Sequence, residues 1–285
     1  MRRKTVLITG GNSFLSKEFQ LFFSNNDKYQ VYALDRKALN VEDERSIDSL
    51  FSSCKFDIVL HCAVSGGSRL TNDPPSVFLS NLTMFNNLIR NRDNFGIMIN
   101  FGSGAEFDRS LSIDSCKEED IFLRMPNDYY GCSKNLISRK IIEQNENVIT
   151  LRLFGCFGFY ENLTRFPSYC INRCLCNEDI LVDGDREMDY FSSEDLFQLV
   201  LFFLNNPNCS LRDVNAVYAK KEKLSDIAAQ IVRLTKSHSN VKISSTDNKI
   251  YSGSSEKISN LNLKFVGLEE SMRKLINKRR ISGRY

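Results

Sequence analysis

The sequence has little histidine, two residues in 285, and no C-x-x-C pair among its nine cysteines. Those gaps remove the common zinc-site patterns. Cys170, Cys174 and Cys176 form the one cysteine cluster, and the expectation is reduced, mostly buried thiols with no metal. No stretch approaches the ~20 apolar residues that a spanning helix needs. After the basic start, the run Val6-Leu7-Ile8 stops at Gly10-Gly11, too short for a secretory signal. The net charge is only +3, and no basic stripe interleaved with aromatics appears, so nucleic acid is not an expected partner. No repeat or low-complexity linker divides the chain. These absences predict a cytoplasmic globular protein with no membrane partner.

What is present is a rhythm. Residues 5–9 form a continuous apolar run suited to a buried parallel strand. Gly10-Gly11-Asn12-Ser13 then turns into a helix with Leu15, Phe19 and Phe22 on one face. A second strand, Gln30 to Leu34, ends at Asp35, 25 residues beyond Gly10. A strand, a glycine turn, a helix, a strand and an acid at about that distance is the pattern of a dinucleotide site. The pyrophosphate would rest on the amides of residues 11–15, at the positive end of the helix. Asp35 would accept from the ribose hydroxyls, which favours NAD(H). Arg36 and Lys37 follow it and keep NADP(H) as the alternative.

The alternation continues with a helix face at Ile47, Leu50, Phe51 and Cys54 and a strand from Asp57 to Ala63. A helix over 78–89, a strand over 97–101, a helix over 130–143 and a strand over 148–154 follow. Strands alternating with helices predict a doubly wound parallel α/β sheet. Such sheets bind ligands at the carboxyl ends of their strands. Gly10, Asp35, Ala63, Ser103 and Phe154 all fall there.

Beyond residue 155 the rhythm loosens. A loop is expected over 155–168, with helices at Ser168 to Cys176, Leu196 to Leu204, Leu224 to Leu234 and Leu268 to Leu275. Residues 236–260 are polar and poor in regular pattern. The basic run Lys278-Arg279-Arg280 is predicted as a solvated tail. Residues 1–160 are therefore read as a dinucleotide-binding domain. Residues 161–285 are read as a smaller, mainly substrate-binding lobe, with some segments returning to the sheet.

Tyr130 and Lys134 are four apart, so a helix puts both on one face. A lysine ammonium beside a phenol favours the phenolate and lowers its pKa from roughly 10. Such a tyrosine exchanges a proton with a carbonyl oxygen near neutral pH.

Together these stretches resemble the extended short-chain dehydrogenase/reductase family, in its nucleotide-sugar epimerase, dehydratase and reductase branch. Thr9-Gly10-Gly11-Asn12-Ser13-Phe14-Leu15-Ser16 is similar to T-G-x-x-G-F-(I/L)-G, with Ser13 and Ser16 replacing two glycines. His61-Cys62-Ala63 resembles H-x-A, and the stretch from Asn81 resembles N-V-x-G-T-x-N-L-L. Phe101 to Phe107 falls where the family has S-S-S-x-x-V-Y-G, with Ser103 on the catalytic serine. Tyr130 and Lys134 fall on Y-x-x-x-K. Leu151 to Gly158 resembles L-R-x-F-N-V-Y-G, and Asp183 to Leu196 resembles D-G-x-x-x-R-D-F-x-x-V-D-D-L, with Met188 replacing an arginine.

The resemblance implies that Ser103, Tyr130 and Lys134 are catalytic. It implies cofactor contacts from Gly10, Asn12, Ser13, Phe14, Leu15, Asp35, Arg36, Asn40, Val41, Cys62, Ala63, Val64, Asn81 and Phe154, besides Tyr130 and Lys134. Substrate contacts are implied for Ser65, Gly66, Gly104, Ala105, Phe157, Arg165 and Arg186. The implied substrate is a nucleotide sugar, and the implied assembly is a homodimer. No acid directly follows Ser103, as a dehydratase would need, and no cysteine–histidine pair serves a 3,5-epimerase. A 4-ketoreductase is favoured, a 4-epimerase is the alternative, and a non-catalytic dinucleotide-binding scaffold is the reading from another class.

Overall fold

The structure, a computed structural model, describes residues 2–284 except 25, 69–71, 145–146 and 247. The first half runs β1 (Lys4–Thr9), α1 (Phe14–Ser24), β2 (Tyr29–Leu34), α2 (Glu44–Ser53), β3 (Phe56–His61) and α3 (Pro75–Ile89). Then come β4 (Phe95–Ser103), β5 (Ile113–Cys116), α4 (Tyr129–Gln144), β6 (Val148–Leu153) and β7 (Cys156–Phe157). The remainder is α5 (Phe166–Leu175), β8 (Ile180–Val182), β9 (Phe191–Ser192), α6 (Ser193–Asn205) and β10 (Asp213–Ala216), followed by α7 (Leu224–Thr235). β11 (Val241–Ile243), β12 (Tyr251–Gly253), α8 (Glu256–Ser259) and α9 (Leu268–Ser282) end the chain.

Six strands form one sheet in the order β10-β6-β4-β3-β1-β2, all pairs parallel. Side chains alternate between its faces, as the two-residue strand period requires. Val6, Ile8, Ile58 and Leu60 face α1 and α6, packing with Phe19, Leu199 and Phe203. Leu7 and Val59 face the opposite layer, against Phe51, Phe85 and Ile137 of α2, α3 and α4. A sheet covered on both faces needs near-continuous apolar strands, which is why these runs were legible. Each buried Phe or Leu contributes roughly 1.5–3 kcal/mol. The chain order reverses between β1 and β3, which opens a crevice at their carboxyl ends.

The second lobe is built from α5, α7 and α9 around Ile171, Ile227, Ile231, Met272 and Ile276. Two short parallel ladders, β5–β12 and β7–β9, join it to the first half of the chain, and a third, β8–β11, lies within it. Here several expectations need correction. Residues 236–260 contain β11, β12 and α8; each is too short to show a period. The predicted loop over 155–168 ends early, because Pro167 sits in the first turn of α5, where its missing N–H costs nothing. The strand β10, not foreseen, extends the main sheet. The basic run at 278–280 is no tail: it is the last part of α9, and Arg279 is fully buried. Among the described residues, no helix is long and apolar enough to cross a membrane.

Candidate active site

The turn after β1 is built for close approach. Gly10 has φ +66, and a Cβ there would come within 2.8 Å of the Ala63 backbone. The family-pattern glycine replaced by Ser13 is not missed: the Ser13 Oγ accepts from the Ser16 N–H at 3.3 Å and caps α1. Ser16 is wholly buried and accepts from Gln20 Nε2 at 3.2 Å. Beside this turn lies a cavity of about 400 Å³. Gly10, Asn12 and Ser13 line it from β1; Asp35, Arg36, Asn40 and Val41 from β2. Cys62, Ala63, Val64 and Ser65 line it from β3. A bare glycine backbone, a helix start and a carboxylate around one crevice fit a dinucleotide.

Asp35 is fixed. It accepts from Asn12 Nδ2 at 2.8 Å and from the Lys37 and Ala38 N–H groups at 3.0 Å each. The Ala38 bond above all holds its carboxyl below the usual range. The Arg36 guanidinium pairs with Glu42 at 3.1 Å.

The neighbouring residues have partners within the protein. Phe14 and Leu15 pack against the core. Asn81 is buried and clamps Ser65, accepting from its N–H at 2.9 Å and donating to its carbonyl at 3.1 Å. It also donates to Ser133 Oγ at 3.0 Å, so it joins the β3 loop to α4. Phe154 stacks on Phe107 at 6.0 Å and meets Tyr251 edge-on. His61 is buried; it meets the Thr9 hydroxyl at 3.0 Å, and burial lowers its pKa to about 3.

Ser103 ends β4 and hydrogen-bonds Tyr130 at the start of α4. Beneath it lies an ion network that sequence reasoning missed. Glu106, fully buried, accepts from the Ser103 N–H at 2.8 Å and from Arg152 Nε at 2.6 Å. Arg152, also fully buried, donates to Asn215 at 3.0 Å and Asp213 at 3.2 Å. The arginine in L-R-x-F was the available signal, but its partners lie on separate strands and loops. Lys134 is 4% exposed and donates to the Phe101 carbonyl at 2.7 Å; burial lowers its pKa to about 8.

The expected depression of Tyr130 is reversed in this structure. Burial pushes its phenol up to about 12, against the Ser103 bond and the Arg109 charge, with Tyr251 and Glu106 adding to the rise. The Lys134 ammonium donates instead to the Phe101 carbonyl.

Next to the start of α4 is a second cavity, of about 560 Å³. Arg109, Arg186 and Lys249 bring positive charge to it, Asp73, Asp108 and Asp128 negative, and Tyr251 of β12 forms part of the wall. Arg186, expected as a substrate contact, lines this cavity. Gly66 packs on Asp73 and Val77, while Gly104 and Ala105 are buried behind Ser103. Phe157 is 1% exposed in the second-lobe core, and Arg165 stands before α5, half-exposed.

A parallel dinucleotide-type sheet, with a serine at the end of β4 and a tyrosine and a lysine on α4, defines the class: a nucleotide-cofactor oxidoreductase scaffold of the short-chain type. The model of the NAD dependent epimerase/dehydratase family matches residues 6–216, and the chain belongs to that family. No curated protein matches by sequence. In overall structure the chain is similar to the GDP-mannoheptose C4 reductase of Campylobacter jejuni with NADP bound. The TM-score is 0.87 at 14% identity, over 98% of this chain and 99% of that one. It is also similar to a GDP-L-fucose synthetase from Naegleria fowleri bound to NADP (TM-score 0.81, 16% identity, 99% and 94% covered). A dTDP-4-dehydrorhamnose reductase from Clostridium acetobutylicum gives 0.80 at 18% identity, with 97% and 99% covered.

Proposed function

We propose that this protein reduces the 4-keto group of a nucleotide-linked deoxysugar with a nicotinamide cofactor. The observation that carries the reading is the Ser103–Tyr130 hydroxyl pair at the end of β4, beside the dinucleotide crevice. A bound nicotinamide supplies hydride. Ser103 donates a hydrogen bond to the ketone oxygen. Tyr130 donates its proton to that oxygen as hydride reaches the carbon. A phenol held above its ordinary pKa is protonated at pH 7, the form a reduction needs. Lys134 would hold the nicotinamide ribose, and the cavity bearing Arg186 and Lys249 would take the anionic nucleotide. Glu106 is committed to Ser103 and Arg152, so no dehydratase acid is added to the site. The reductase names of similar structures support the same reading, as does a second lobe of matching extent.

The cofactor reading remains NAD(H), with NADP(H) as alternative. Three donors fix Asp35, leaving one of about four acceptor positions for a ribose hydroxyl. A fixed carboxylate faces a 2′-phosphate at a cost. Work as a homodimer through α3 and α4, in the cytoplasm, completes the proposal; light scattering of the purified protein reads the mass.

The test is a screen of GDP-, UDP-, CDP- and dTDP-linked 4-keto sugars with NADH and NADPH, with product analysis. Reduction at C4 is expected. Inversion at C4 of the corresponding 4-hydroxy nucleotide sugars, without net cofactor consumption, would replace the reductase by the epimerase. Cofactor binding with no turnover on any of them would favour the scaffold.

A further inference from the structure

The loop after β3 carries two left-handed glycines, Gly66 with φ +74 and Gly67 with φ +81. Gly67 lies flat on the tyrosine ring: a Cβ there would stand 2.8 Å from Tyr130 Cζ. Asp73 holds this turn, accepting from the Gly67 N–H at 3.0 and 3.2 Å. The Asp73 side chain is 5% exposed and lies 3.8 Å from Arg109 Nη2. On the other side, the Arg109 fork donates to Asp128 at 2.9 and 3.2 Å. Asp128 also accepts from the Gly131 N–H at 2.8 Å and so caps α4. One guanidinium thus joins the β3 loop to the start of the helix that carries Tyr130. Its carbon is 5.8 Å from the Tyr130 ring centroid, within reach of a cation–π contact.

We propose that Arg109 is a positioning residue for Tyr130: it locks the Gly66–Gly67 turn on the phenol and sets a fixed positive charge beside it. The inference rests on the reading of Tyr130 as proton donor. The groups around the phenol divide by sign. Burial, Tyr251 and Glu106 disfavour its ionised form, while the Ser103 bond and Arg109 favour it. Lys134 donates to the Phe101 carbonyl, so Arg109 takes a share of the electrostatic duty that Y-x-x-x-K gives to lysine. A bidentate fork is required to hold Asp128 and approach Asp73 at once, and lysine has none.

The test places 3,5-difluorotyrosine, whose phenol ionises at lower pH, at position 130 and follows its fluorine resonance against pH. Arg109→Met should raise the midpoint by about one pH unit, and Arg109→Lys, which keeps the charge but not the fork, should restore only part of it. Asp73→Asn, which keeps an acceptor for Gly67, should lower it by a few tenths of a unit, because it removes a negative charge from the same cluster. An unchanged midpoint in folded Arg109→Met overturns the proposal. If that variant does not fold, a midpoint that fails to fall in Asp73→Asn overturns it. This arm needs no substrate, so it decides even if the nucleotide-sugar reading fails. With an active nucleotide sugar, Arg109→Met should lose at least ~10-fold in kcat with KM within about threefold. Raised KM at unchanged kcat would make Arg109 a substrate contact and overturn the positioning role.

Discussion

Among the described residues, two arginines are completely buried, and their surroundings treat them differently. Arg152, under Ser103, meets Glu106 at 2.6 Å and Asp213 at 3.2 Å. Arg279, where α9 closes on the sheet domain, has a serine hydroxyl at 2.7 Å and two carbonyls at 3.4 Å. Its Nε has no hydrogen-bond partner among the described residues; nor has Glu161 Oε1, which has only the Arg165 Nε charge at 4.0 Å. Burial lowers the pKa of Arg279, and burial raises that of Glu161 to about 7. Around Arg152 the carboxylate charges outweigh burial and raise its pKa. The floor of the site is therefore an electrostatically closed unit, while the seam between lobes is an open one. A buried charge stiffens a structure only when its partners are satisfied with it.

The largest effect should separate these two arginines. Arg152→Met leaves Glu106 buried without its cation and should cost about 3–5 kcal/mol of stability. Arg279→Met removes a charge that has little return and should stay within about 1 kcal/mol. Urea unfolding of both variants measures the contrast; equal losses would erase the distinction between floor and seam.

Tyr130→Phe sharpens the comparison from the site's side. It deletes one hydroxyl above the stiff floor, so it should cost at least ~100-fold in turnover, about 2.7 kcal/mol, without lowering the unfolding midpoint. Steady-state kinetics beside a melt checks both halves. Wild-type turnover in the Phe variant would remove Tyr130 from the mechanism.

The two regions should also respond oppositely to pH. Glu161 has a folded pKa of about 7, raised from 4.5. Its favourable share is complete below pH ~4.5 and is lost as pH rises toward ~7. His61 has a folded pKa of about 3, lowered from 6.5. Its share is complete above pH ~6.5 and is lost as pH falls toward ~3. Glu161→Gln should thus remove a loss of about 1–3 kcal/mol between pH 4.5 and 7, and His61→Phe an opposite slope at lower pH. Stability measured in denaturant at several pH values would read parallel slopes if the assignment were wrong.

The smallest expected change is at Asp35. Asp35→Ala should narrow any preference for NADH over NADPH by about tenfold, the effect of one charge at a surface site. Titration of both cofactors at one ionic strength reads it. Tighter NADPH binding by the wild type, unchanged or weakened in the Ala variant, would show that Asp35 does not discriminate.

Much of the sheet domain was legible because its signals are local. β1, β3, β4 and β6 are largely apolar runs, and both covering layers follow helical periods. Ser103 closes β4, and Tyr130 and Lys134 stand four apart on α4, so each could be singled out from a linear pattern. Distance along the chain hid the rest. Tyr251 reaches the site from a strand of three residues, too short for any periodicity. Glu106 and Arg152 each look like ordinary surface charge until β4 and β6 bring them together. Arg109 needs Asp73 and Asp128 from two other segments before it bears on Tyr130. Arg279 sits in a basic run whose usual fate is solvation, and only the docking of α9 beside Ser168 and Gly158 buries it. Apolar pattern is set residue by residue along one element. The worth of a charge is set by whatever the tertiary fold places within a few ångströms of it, and no local period encodes that.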